Sequence, residues 1–354
     1  MHSALSHFRI AGVAVTTGSV ERDFIADGLA AGIDRAQLER VSAAIGLRKR
    51  LVAPAGVTAL DLCEDAARRL LSALDVDPSS IDAVVFVTQT PDHPQPNDAS
   101  LLHSRLGLSK AAMAFDLSHG CSGWVYGLHQ AALLCAHAGA ARVLLCAGDT
   151  LSRLTHPADR SVDPIFGDAG SAALVERTGV DAPWHFIFGT DGSAAGVIAV
   201  PAGGARSPAS ESTRVVKRDA EGHGRSEENL RMDGAAVMSF TLREVPGAVK
   251  AVLSAAGWKA PEACAFHQAN RFVLSALAKA CGLDLASVPM DLTERFGNLS
   301  SASVPAVLAH AYGAALSTAS LRLLACGYGV GLSWAAAAGP IGPCVCLPML
   351  PLRR

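Results

Sequence analysis

The chain has 354 residues, half of them hydrophobic and 18% charged, with a net charge of −2 and a pI near 6.6. That is enough apolar material for a large core, and the near-neutral balance, with no long Lys/Arg block, excludes a broad nucleic-acid binder. Nine cysteines at irregular spacings make neither a disulfide framework nor a zinc motif, the segment MHSALSHFRIAG lacks a basic stretch followed by an apolar run, and no uninterrupted apolar stretch is long enough for a bilayer, so a cytoplasmic protein without a membrane span is expected.

Residues 8–15 read as a first strand and 59–74 as an amphipathic helix, with Leu60, Leu62, Ala66, Leu70, Leu71 and Leu74 recurring at helical spacing. Between them Gly46-Leu47-Arg48-Lys49-Arg50 reads as a basic turn near the surface. Residues 82–87 form the apolar, β-branched run of a buried parallel strand, and the proline-rich loop 90–97 leads to a helix over 99–106 capped by Asn97 or Ser100. Phe115-Asp116-Leu117 reads as a strand end and Ser118-His119-Gly120 as a tight turn, after which Trp124, Val125, Leu128, Ala131 and Ala132 mark a helix face. Cys121 therefore stands at an elbow between strand and helix. First-turn amides and the helix dipole favour its thiolate there, and Gly120, Ser122 and Gly123 leave room for a substrate carbonyl. Taken alone, Cys121 is equally a small buried hydrophobe.

A strand over 142–147, the turn Phe166-Gly167-Asp168-Ala169-Gly170 and a strand over 171–175 complete the first part. Residues 203–229 shift to Gly, Ser, Arg and Glu and read as an exposed loop. Helices are expected over 233–256 and 271–281, strands over 263–267 and 321–326, and a glycine-rich turn, Gly327-Tyr328-Gly329-Val330-Gly331, before 332–338.

A weak internal repeat runs through this order: strand, loop, helix, strand-turn-helix, strand. Thr90 and Cys121 are 31 positions apart, and so are His267 and Asn298. The repeat predicts two similar halves, 1–176 and 177–354, with mostly parallel sheets, helices on both faces, and a crevice at the carboxyl ends of the strands. Cys121, His267 and Asn298 all fall there. Individually, His267 reads as a structural histidine and Asn298 as a helix cap.

Together, the Cys121-Ser122-Gly123-Trp124 elbow, His267-Gln268-Ala269-Asn270 and Gly297-Asn298-Leu299-Ser300-Ser301-Ala302-Ser303 give the sequence its resemblance to β-ketoacyl synthase III-type enzymes of the thiolase superfamily, over residues 8–337. The resemblance implies an α/β thiolase-like fold of two pseudo-repeated halves in a five-layered αβαβα arrangement, a homodimer, and a role in fatty acid biosynthesis. It implies that Cys121 takes an acyl group from acyl-CoA or an acyl carrier protein, and that a decarboxylating condensation with a malonyl thioester follows, without a metal, nucleotide or redox cofactor. His267 and Asn298 then donate to the enolate, and the amides of Cys121 and of Gly329, Val330 and Gly331 stabilise the oxyanion. Asn270 steadies the active-site asparagine or an ordered water. Arg160 matches a phosphate-contacting arginine. Arg40 stands where the family has an adenine-stacking tryptophan, so it stacks, pairs with phosphate, or is a solvated surface charge. Gln95 or its neighbours replace a bulky apolar residue of the family, which leaves the acyl chain open. Two other readings remain: acyl transfer to an alcohol or amine, and a non-catalytic partner subunit. Intact His267 and Asn298 argue against the first, and the presence of Cys121 against the second.

Overall fold

The computed structural model describes residues 1–353. The chain begins with strand β1 (His2–Leu5) and continues through β2 (Phe8–Thr17), helix α1 (Ala59–Ala73), β3 (Ala83–Val87), α2 (Asp98–Leu106), β4 (Met113–Leu117), α3 (Gly123–His137), β5 (Arg142–Asp149) and β6 (Ala169–Arg177). The second part comprises β7 (Trp184–Thr190), α4 (Gly234–Ala255), β8 (Ala263–Phe266), α5 (Arg271–Cys281), α6 (Ser303–Val307), β9 (Leu321–Gly329), β10 (Ser333–Ile341) and the short strands β11 (Val345–Cys346) and β12 (Leu350–Pro351).

These strands form two sheets, ordered β11-β2-β6-β5-β3-β4 and β1-β7-β10-β9-β8, with β12 also on β2. In the first, β3 runs parallel to β5, which is antiparallel to β6, which is antiparallel to β2. In the second, β8, β9, β10 and β7 repeat that pattern strand for strand. The duplication is real. Both sheets are mixed: parallel pairings outnumber antiparallel ones in the first, as expected, whereas the second is mostly antiparallel, because each half returns through antiparallel pairings on one side. The halves also exchange their ends: β1 lies on the sheet of the second half, and β11 and β12 lie on the sheet of the first.

Period-two patterning sorts the side chains into layers. On β3, Val84 and Phe86 join the outer cluster with Leu60, Leu70 and Leu102 of α1 and α2, while Val85 and Val87 face inward. On β9, Leu324 and Cys326 meet α4 and α5, and Leu323 and Ala325 face inward. Helices α3 and α6 fill the space between the sheets, giving five layers, α-β-α-β-α. Each fully buried Val, Leu or Phe contributes about 1.5–3 kcal/mol. The middle layer admits little error: a Cβ on Gly127 would sit 2.5 Å from Leu145 Cδ1, so glycine lets α3 lie directly on β5.

Local chemistry departs from the sequence reading at two points. Helix α2 is capped by neither Asn97 nor Ser100 side chains. The Asp116 carboxylate of β4 accepts from the amides of Asp98 and Ala99, both at 2.8 Å, and ties α2 to the strand leading to Cys121. Arg50, expected in a surface turn, is buried: its guanidinium pairs with Asp163 at 2.9 Å and also donates to the Phe166 carbonyl. The segment 203–229 is largely exposed, with small pairings Lys217–Arg225 and Arg218–Gly224.

Candidate active site

Cys121 lies in the turn between β4 and α3, His267 directly follows β8, and Asn298 follows the short helix Leu292–Phe296. All three line one narrow cavity of about 60 Å³, with Gln89, Phe166, Leu230, Met232 and Tyr328 among its walls. The spatial convergence expected from the spacing is therefore present.

The electrostatics differ from expectation. Burial pushes the Cys121 thiol up to about 12, so desolvation outweighs the helix dipole that favours a thiolate. Burial likewise pulls His267 down to about 4, which keeps its imidazole neutral at physiological pH. Its ring meets Tyr328 edge-on at 5.3 Å, Nδ1 lies 3.2 Å from Ser303 Oγ, and the Tyr328 hydroxyl donates to its backbone carbonyl. The Asn298 Oδ1 accepts from the Ser300 amide at 2.9 Å. With that oxygen engaged, the Asn298 NH2 is the group left to donate to a ligand.

The turn carrying Asn298 is held by the first half of the chain. Its amide donates to Ile165 O and its carbonyl accepts from Gly167, forming a parallel bridge to Phe166. The buried Asp149 carboxylate, at the end of β5, accepts from the Gln89 amide at 2.8 Å and from the Ser301 amide and hydroxyl at 3.1 and 2.7 Å. Gln89 Nε2 donates to Ser300 Oγ at 2.9 Å, and that hydroxyl lies 3.8 Å from Cys121 Sγ. Gln89 and Asp149 were not singled out from the sequence, and Ser300 stood in the Asn298 motif without a role. The signal for the first two was polar residues at the carboxyl ends of apolar strands, beside the crevice.

Gly329 backs directly onto the thiol, since a Cβ there would lie 3.0 Å from Cys121 Sγ; Val330 also lines the cavity, and Gly331 adopts φ +137 in the following turn. Asn270 is used differently from expectation: it caps α5, its side chain accepting from the Val273 amide, and no hydrogen bond joins it to Asn298 among the described residues. Arg160 is exposed and lines a groove with Phe24, Leu38 and Pro157, its Nη2 3.5 Å from the Glu221 carbonyl. Arg40 is exposed on the helix Arg35–Ile45 and does not line that groove, which leaves the surface-charge reading standing. The strand expected before Asn298 is absent from the second sheet; only the short helix and the Phe166 bridge stand there. His129 bonds Ser3, away from the cavity.

Family models for 3-oxoacyl-[acyl-carrier-protein] synthase III match residues 115–199, and for its C-terminal part residues 253–339. A β-ketoacyl-[acyl-carrier-protein] synthase III of Streptomyces coelicolor is 34% identical over 265 residues, covering 71% of this chain and 76% of its own. One from Desulfitobacterium hafniense is 32% identical over 261 residues, covering 72% and 75%. The crystal structure of a 3-oxoacyl-(acyl-carrier protein) synthase from Burkholderia xenovorans superposes with a TM-score of 0.93 at 36% identity over 99% of both chains. The chain belongs to the 3-oxoacyl-[acyl-carrier-protein] synthase III family, thiolase-fold condensing enzymes of the acyltransferase class.

Proposed function

We propose that the protein joins an acyl group carried on Cys121 to a malonyl thioester with loss of CO2, releasing a β-ketoacyl thioester. The observation that carries this reading is the shared cavity, in which a thiol meets two neutral hydrogen-bond donors, His267 and Asn298. Cys121 Sγ attacks the donor thioester, and the departing thiol takes the proton that Cys121 gives up. The amides of Cys121 and of the Gly329-Val330-Gly331 turn meet the oxyanion. The malonyl thioester then loses CO2, and the negative charge on its enolate oxygen is met by the His267 imidazole and the Asn298 amide. Neutral donors suit this step, since a carboxylate would repel both malonyl group and enolate. The enolate carbon attacks the acyl carbonyl, the Cys121–acyl bond breaks, and the released sulfur takes up a proton from solvent to restore the thiol. Every charge that develops has a protein donor, so the sequence runs without a resident cofactor.

The donor is read as a phosphopantetheine thioester, on CoA or on an acyl carrier protein. A cleft of about 680 Å³ lined by Lys217, Arg218, Arg225 and Arg231 shares Met232 with the Cys121 cavity, and Arg231 Nε is buried there without a hydrogen-bond partner. Asp219 and Asp233 on its wall are already engaged, by Arg225 and by the Ala236 amide. Glu221 also lines it, Arg225 is held by Asp159 and Asp219, and Lys217 and Arg231 lie 3.8 and 3.9 Å from Glu227, so Arg218 and the outer faces of Lys217 and Arg231 are what it offers an anionic donor. Nine unpaired cysteines fit a reducing cytoplasm, and no described helix is long and apolar enough to cross a membrane. The exposed edge strand β4, with Met113 half open to solvent, fits pairing with a second copy in a homodimer.

Intact mass measurement after incubation with acyl-CoA is expected to show an acyl adduct that disappears in Cys121→Ala. Labelled malonyl thioester is then expected to release CO2 with formation of the longer β-keto product. Acyl transfer to an alcohol or amine without CO2 release would replace this reading with simple acyltransfer.

A further inference from the structure

Ser300 is buried and is one of three non-glycine residues with positive φ among the described residues, at +48. L-residues held there carry a backbone cost, and such positions concentrate at functional sites. The conformation lets one residue address all three members of the cavity. Its amide donates to Asn298 Oδ1 at 2.9 Å and so fixes which end of that side chain is free. Its carbonyl acts on the His267 ring as an acceptor, opposing the effect of burial. Its hydroxyl lies 3.8 Å from Cys121 Sγ, within reach of a bond to sulfur.

The direction of that last bond is set by Gln89. The Gln89 Nε2 group donates to Ser300 Oγ at 2.9 Å, so the hydroxyl accepts from one side and its own proton goes to the sulfur or to the buried Asp149 carboxylate, whose ionised form Ser300 also favours. Gln89 is in turn fixed through its amide by the Asp149 carboxylate. Asp149 thus anchors the Gln89 backbone, and from the Gln89 side chain the donors run through Ser300 towards the sulfur.

We infer that Ser300 is a further catalytic residue, whose hydroxyl, oriented by Gln89, donates a hydrogen bond to the Cys121 sulfur when it carries negative charge. The inference rests on the proposed condensation for its role in turnover, but not for the contact itself. The sulfur is charged twice in that sequence, as it attacks the donor and as the acyl group leaves it for the enolate carbon. The Ser300 O–H bond stays intact in both steps: the proton given up by Cys121 goes to the departing thiol of the donor, and Ser300 supplies only a hydrogen bond. This answers the problem posed by burial, since desolvation outweighs the helix dipole at the sulfur.

The test reads the sulfur directly. Alkylation of Cys121 by iodoacetamide is followed by intact mass from neutral to alkaline pH in the wild type, Ser300→Gly, Ser300→Ala and Gln89→Glu, with thermal melting as a check of folding. Glycine accepts the positive φ without strain, so Ser300→Gly keeps the turn and removes only the hydroxyl. Ser300→Gly and Ser300→Ala are expected to alkylate about tenfold more slowly at a given pH, with the profile displaced upward by about one pH unit, the size of one lost hydrogen bond to a charged acceptor. Gln89→Glu keeps the serine but offers its proton a carboxylate, and the same displacement is expected. A purely structural serine predicts no displacement in Ser300→Gly, and a wild-type profile there overturns the inference; a displacement confined to Gln89→Glu reads only the added negative charge and overturns it too. A wild type that alkylates normally but accepts no acyl group from any thioester overturns the proposed condensation instead.

Discussion

The turn carrying Cys121 and the turn carrying Asn298 occupy corresponding places in the two halves, yet they are built by different means. The first is regular: β4 pairs with β3 in unbroken parallel register from Met113 to Leu117, and α3 starts two residues after the thiol and packs into the middle layer. The second half has no counterpart of β4, and the Asn298 turn is stitched to the first half by Phe166, Gly167, Gln89 and Asp149. Cys121 is thus placed by its own half, and Asn298 by the other. In the proposed reaction, acylation and decarboxylation would therefore depend on different parts of the structure, and mutations are expected to part them.

The largest expected effects separate the two turns outright. Cys121→Ala is expected to lower condensation by more than about 10³-fold while leaving malonyl thioester decarboxylation measurable, because the enolate donors remain. Asn298→Asp is expected to do the reverse, keeping the acyl adduct and slowing CO2 release by about 10²–10³-fold. Mass spectrometry and CO2 capture read the two steps, and loss of both steps in both variants would remove the division between the turns.

Next in size are the supports. Asp149→Ala leaves the Ser301 and Gln89 amides without their acceptor in a fully buried place, at a cost on the order of 3 kcal/mol. Asp116→Ala removes the acceptor at the start of α2, a cost of about 1 kcal/mol. Both lower the melting temperature, but only Asp149→Ala is expected to slow decarboxylation more than Cys121 acylation. Equal slowing in the two variants would show that the Asn298 turn does not depend on its cross-half ties.

The sequence made the three cavity residues legible because each has its motif beside it and two of them, Cys121 and His267, follow strands, and buried strands showed themselves by uninterrupted β-branched residues. It did not show the supports, because their partners lie far off in the chain: Ser301 and Asp149 are 152 positions apart, and Arg50 and Asp163 are 113 apart. Arg50 sits among basic residues and reads as a surface charge until its partner is known. Likewise β1 and β11 are too short to declare which sheet they join, so the exchange of ends was invisible. Cys121 titration was misread for a different reason: the local dipole is written in the sequence, but the desolvation that overrides it comes from the whole fold.

Acid is expected to act on the His267 side of the site. The folded His267 is depressed from 6.5 to about 4, so between those values the unfolded chain binds the proton and the folded one does not. The contribution to stability is complete above about pH 6.5 and is lost as pH falls towards 4, on the order of 3 kcal/mol in all. Melting of wild type against His267→Gln over this range reads it, and the gap in acid sensitivity is expected to vanish below about pH 4. Decarboxylation, which needs the neutral ring, is expected to stay level down to about pH 5.

The smallest effect touches neither turn. Lys217 and Arg218 are exposed and lie in the polar segment that walls the cleft beyond Met232, so each contributes only about 0.5–1 kcal/mol to holding an anion. Lys217→Ala with Arg218→Ala is expected to raise KM for an acyl-CoA donor about three- to tenfold, with kcat unchanged and the effect fading at high salt. An N-acetylcysteamine thioester carries the same acyl group without a phosphate, and its KM is expected to stay the same. If both donors weaken together, the cleft acts on the acyl arm and not on the anion. If neither does, the phosphate is held on the other side of the mouth, in the groove that Arg160 lines with Phe24 and Pro157.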